Sequence, residues 1–170
     1  MRLSTGLLAA SFVVFAATLK FDAPAGWVSK PPSSAMRVAE FTLPRAAGDA
    51  EDASLTVYFF GGQGGSVQAN IDRWIDQMAQ PDGKPSKSVA TTSALTSHGL
   101  SVSVVDVTGT YFAETSPGSA EHFNKPGFRL KAAVVETSGG TYFIKLIGPK
   151  ATVTKWDPAV DAFLKSVRYE

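Results

Sequence analysis

The stretch "FRLKAAVVETSGGTYFIKLIG", residues 128–148, reads as two strands around a tight turn. Residues 128–136 and 141–148 are rich in β-branched and aromatic side chains, and Thr137-Ser138-Gly139-Gly140 lies between them. Two such runs flanking a glycine turn predict a β-hairpin. A hairpin here argues against a doubly wound sheet, in which a crossover helix would follow each strand.

Downstream, "TVTKWDPAVDAFLKSV", residues 152–167, has helical spacing. Trp156, Val160, Phe163, Leu164 and Val167 fall at i, i+4, i+7, i+8 and i+11, the stripe of one buried helix face. Asp157 before Pro158 predicts a cap with proline at the first helical position, and Thr154 is a rival cap.

Upstream, "SLTVYFF", residues 54–60, is the clearest single strand. Leu55, Val57 and Phe59 face one way and Thr56, Tyr58 and Phe60 the other, so both faces are apolar enough to be covered. That predicts a central position in the sheet. A helix over about 66–80 follows, with Val67, Ile71, Trp74, Ile75 and Met78 on the same kind of stripe and Pro81 as its stop. Residues 36–43 and 100–112 add alternating strands, and residues 18–28 a short strand running into a turn at Pro24 and Gly26. Residues 44–53 read as a surface connector, 87–97 as a solvated strand or loop, and 113–127 as a long loop. Hairpins outnumber crossovers. The expected class is α+β, a mostly antiparallel sheet with helices packed on it.

A 170-residue chain with 44% hydrophobic residues suits one domain with a full core. Residues 1–16 have the pattern of a signal peptide, with Arg2 ahead of an apolar run from Leu7 to Ala17 that is too short to span a bilayer. The expected mature domain is 17–170, exported to the periplasm or outside the cell, with no membrane span after signal removal. Without Arg2 the acidic and basic residues balance at 15 each. Nucleic-acid binding needs a basic excess, so that class is not expected. The absence of cysteine excludes disulfides, thiolate metal sites and cysteine nucleophiles.

"FDAPAGWV" (21–28), "MRVAEFTLP" (36–44) and "YFIKLIGPKATVTKWDPAVDAFLKSVRY" (142–169) together resemble the PsbP-like and Mog-type fold. In that fold an aromatic-Pro-Gly-Trp opening leads into an α/β/α sandwich, and a hairpin and a helix close it, here near Leu164-Lys165-Ser166. The middle, "FGGQGGSVQANIDRW" (60–74), is similar to exported bacterial proteins of the same build. The resemblance implies an extrinsic subunit or protein-binding module and carries over no catalytic residue.

The chemistry-bearing candidates are few. Gly61, Gly62, Gly64 and Gly65 around Gln63, at a helix N-terminus, suit either a strand-to-helix turn or an anion cradle. The loop lacks the lysine of a Walker loop and the spacing of a dinucleotide fingerprint. Asn70 and Arg73, one turn apart, would share a polar face with Gln63, or else Arg73 would pair with Asp72 or Asp76. Trp27, after its Pro-Gly turn, is either core or a rim residue beside that surface. His98 and His122 fall in no zinc or triad motif, and Asp106 and Glu136 sit in or at the end of apolar strands. The residues therefore predict a non-enzymatic binding or accessory domain without metal or cofactor. Its contact surface would centre on Gly62, Gln63, Gly64, Asn70, Arg73 and Trp27, with a protein partner or small anionic ligand. The alternative is a small-molecule or anion-binding protein, or an enzyme, working from the glycine loop 61–65.

Overall fold

A computed structural model describes residues 17–170; the proposed signal peptide lies outside the described residues. Ten strands and two α-helices follow in the order β1 (Leu19–Lys20), β2 (Val28–Lys30), β3 (Arg37–Leu43), β4 (Ala53–Phe59), α1 (Val67–Asp76), β5 (Met78–Ala79), β6 (Thr91–Ser97), β7 (Leu100–Tyr111), β8 (Lys125–Thr137), β9 (Gly140–Pro149), α2 (Lys150–Ser166) and β10 (Arg168–Tyr169). Eight strands form one sheet in the order β2-β3-β4-β9-β8-β7-β5, with β6 also paired to β7, and every pairing is antiparallel. β1 and β10 make a separate two-stranded ribbon that brings Leu19 opposite Tyr169. The fold is α+β, and β4 is internal, between β3 and β9, as expected.

Strand alternation splits the core in two. Leu55, Val57, Val102, Val104, Ala133, Val135, Tyr142, Ile144 and Leu146 face α2, where Val160, Phe163 and Leu164 meet them. Val105, Val107, Leu130, Ala132, Val134 and Phe143 face α1, where Ile71, Trp74 and Ile75 meet them. The central strands are apolar on both sides because each side carries a helix. The two predicted helical stripes are the buried ones. Trp74 is only 6% exposed, and the half-buried Trp156 donates its indole N–H to the Pro44 carbonyl at 2.9 Å.

Both helix boundaries differ from the sequence expectation, and each for a tertiary reason. α2 begins at Lys150, directly after β9, and keeps Pro158 inside it. Neither Asp157 nor Thr154 caps it. Asp49, from the 44–53 connector, accepts hydrogen bonds from the Thr152 N–H at 2.8 Å and its hydroxyl at 2.5 Å, satisfying an orphan donor of the first turn. α1 begins as expected, with the Ser66 hydroxyl accepting from the Ala69 N–H. It stops at Asp76, well before Pro81, because Met78 and Ala79 turn into β5 and pair with Tyr111 and Thr110. Gly109 makes that approach feasible, since a Cβ there would lie 2.6 Å from the Ala79 carbonyl oxygen. The polar stretch 91–97 is a strand, β6, along the outer edge of β7.

Candidate functional site

The glycine loop packs onto the protein at Gly64, while Gly61 and Gly62 stand clear of other groups. A Cβ on Gly64 would overlap the ring of Phe143, so the loop lies flat on the α1-side core. Asn70, 1% exposed, donates its amide to the carbonyls of Gly64 and Ser66, each at 2.8 Å, and so fastens the loop to α1. The Gln63 N–H closes a turn onto the Phe60 carbonyl. Gly61, Gly62 and Gly65 have positive φ, as a tight strand-to-helix turn demands. Gly62 and Gln63 sit exposed on the outside of this turn.

Arg73 is exposed and donates to the Asn70 side-chain oxygen, so these two candidates are brought together. Arg73 forms no ion pair with Asp72 or Asp76; Asp72 instead takes Gln68 and Lys87. Trp27 is not part of this group. It packs on the opposite side of the sheet, against Phe41 and Phe163 at ring distances of 5.5 and 5.2 Å. The alternation of β3 turns Phe41 toward α2, and Trp27 follows it there.

The early end of α1 builds a site that the motifs did not reveal. Gln77 lies where α1 hands over to β5, with its side chain turned back over the sheet. Its side-chain oxygen accepts a hydrogen bond from the Lys145 ammonium at 2.5 Å. The same ammonium reaches the Tyr111 hydroxyl at 3.1 Å and lies 5.0 Å from the centre of that ring. Lys145 stands in the middle of β9, with Phe143 and Ile147 as its same-face neighbours and Thr56 opposite it on β4. Burial, and then the charge of nearby Arg73, pull its amine down to about 8. Burial, and then Tyr58, push the Tyr111 hydroxyl up to about 12. Tyr111 is held by stacking on Phe123 and Phe128.

Among the described residues neither Lys145 nor Arg73 has a carboxylate partner. The nearest acid across the strands, Glu40, is two strands away in register. The Ser33 N–H and Arg37 hold it and keep its pKa low. Among the described residues, no helix lies over the α1 side of the sheet beyond Lys145 toward β2. Ser54 and Val28 are exposed there, Val28 by 53%, and Tyr58 is half-buried under the Arg37 guanidinium.

The other titratable candidates are accounted for elsewhere. Asp106 takes two hydrogen bonds from Arg129, at 2.9 and 2.6 Å, on the α2 side, and Glu136 points outward. His98 and His122 lie beyond opposite ends of β7. His98 bonds the Val167 carbonyl, and His122 stacks on Phe112. Among the described residues no group of three metal-ligating side chains forms, and no helix is long and apolar enough to cross a membrane.

A mostly antiparallel sheet between two helices, with the chain's last helix following a long hairpin, defines a PsbP-like α+β fold. The structure of cyanobacterial PsbP (CyanoP) from Synechocystis matches with a TM-score of 0.50 at 12% identity, covering 91% of this chain and 93% of that one. LpqN of Mycobacterium tuberculosis, involved in cell envelope biogenesis, matches with 0.50 at 12%, covering 91% and 84%. A protein of unknown function from Pseudomonas aeruginosa, PA94, matches with 0.50 at 13%, covering 86% and 94%. The sequence matches no protein-family profile and no curated protein.

Proposed function

We propose that this chain is a non-enzymatic binding or accessory domain, exported to the cell envelope or beyond. Its contact surface is the part of the sheet that α1 leaves open, from Lys145 past the half-buried Tyr58 and the exposed Ser54 to β2. The observation that carries this reading is the pair of unmatched cations, Lys145 and Arg73, at the edge of that surface. Placing a lysine among aromatic rings without a counter-ion is unfavourable for folding, so its presence there favours a role in recognition. Export is supported by the signal-like residues 1–16 and by the structural likeness to LpqN, which is involved in cell envelope biogenesis. Fold likeness alone would license none of this.

Two experiments test the reading. A photo-crosslinking residue in place of Val28 should capture a discrete partner in the native host, while the same residue in place of Lys165, on α2, should not. Equal capture at both positions contradicts the assigned surface. Mass spectrometry of the protein recovered from envelope fractions should find an N-terminus near residue 17, and an intact Met1 contradicts processing.

A further inference from the structure

From the donors around Lys145 we infer that Lys145 and Arg73 form a binding site for the carboxylate of a small organic acid. This rests on the open half of the sheet being the contact surface and adds the ligand class. An ammonium carries three donors, and two are used, on Gln77 and on Tyr111. The third has no protein acceptor among the described residues. A guanidinium carries five donors, and Arg73 uses one of them, on Asn70. Gln77, which holds the Lys145 ammonium at 2.5 Å, lies one turn after Arg73 at the end of α1, so the remaining donors belong to two cations on one face of that helix, and the charge of Arg73 disfavours that of Lys145. An anion between them removes that repulsion and completes both donor sets.

The surroundings favour a carboxylate over a phosphate. The Tyr111 ring lies beside the ammonium, and Phe143 and Ile147 flank Lys145 on the same face of β9. Stripping water from a phosphate dianion against these rings costs more than the few donors return. A carboxylate needs fewer donors: its two oxygens match one ammonium N–H and the guanidinium fork. Gln77 is the positioning residue, because its side-chain oxygen fixes where the ammonium points.

The probe is benzoate, titrated against the full chain by heteronuclear NMR, with inorganic phosphate in parallel. Benzoate should cause saturable shifts confined to Arg73, Gln77, Tyr111 and Lys145. Lys145→Met and Arg73→Ala should each weaken binding by roughly tenfold or more. Arg73 is exposed, so its variant reports even if the Lys145 variant does not fold. Absent or unsaturable benzoate shifts, phosphate binding alone, or unchanged affinity in Arg73→Ala each overturn the inference. Partner capture through Val28 with no benzoate binding would overturn the ligand class and leave the contact surface standing.

Discussion

Lys131 and Lys145 stand on adjacent strands, one residue out of register, and so point to opposite sides of the sheet. Lys131 faces α2 and meets Asp161 at 2.7 Å and Asp157 at 3.1 Å. Burial pulls its amine down, but the hydrogen bonds and charges of the two aspartates outweigh that and leave it raised. Arg129 beside it is braced by Asp106 and Asp157, both at 2.6 Å. Lys145 faces α1 and meets a glutamine and a tyrosine, and its amine falls to about 8. The same residue type in the same sheet is matched on one side and unmatched on the other. The α2 side uses charge to hold a helix in place; the α1 side leaves charge available. Burial alone does not distinguish the two lysines: the missing counter-ion does.

The contrast can be broken most forcefully on the α2 side. Arg129→Ala leaves Asp106 and Asp157 without their shared cation and should cost about 2–4 kcal/mol, read from urea unfolding. An unchanged midpoint would mean that the network is ornamental. Gly64→Val should cost about 1–3 kcal/mol, because the new side chain must displace the Phe143 ring. A normal melting temperature would reopen the glycine loop as a ligand cradle. Asp49→Ala removes the remote cap of α2 and should cost about 1 kcal/mol.

Lys145→Met should have the smallest effect on stability and the opposite sign, a gain of up to about 1 kcal/mol at neutral pH. Its pH dependence sharpens the point. The folded amine releases its proton near pH 8, whereas the unfolded one holds it to about 10.5. Between those values the unfolded state binds more protons, so stability rises with pH. Tyr111 acts the other way above pH 10, since its folded hydroxyl titrates near 12 against 10 unfolded. The wild-type rise between pH 8 and 10 should vanish in Lys145→Met, as chemical denaturation across that range would show.

What could be read in advance followed short-range rules. The glycine turn gave the hairpin, and two i, i+4, i+7 stripes gave both buried helix faces. The cap of α2 could not be read, because Asp49 stands 103 residues from Thr152. The end of α1 is set by pairing with Tyr111, again a long-range partner, so Pro81 misled. The site was harder still, because a lysine in an alternating strand reads as an outward residue. The available signal was "FIKLI", residues 143–147, in which Lys145 shares its face with Phe143 and Ile147. A charge flanked by apolar residues on both faces of a central strand must be paired or functional. The Arg73–Asn70 contact was legible from their spacing, whereas Trp27 could be assigned to a side only once β3 was placed.

The most direct test is the titration of Lys145 itself, followed through its side-chain nitrogen by NMR in the ligand-free protein. Titration near pH 8 would match a buried amine beside the Tyr111 ring with no acid at hand. Titration near 10.5 would contradict it, for the amine would then be hydrated or paired, and the difference between the two sides of the sheet would disappear.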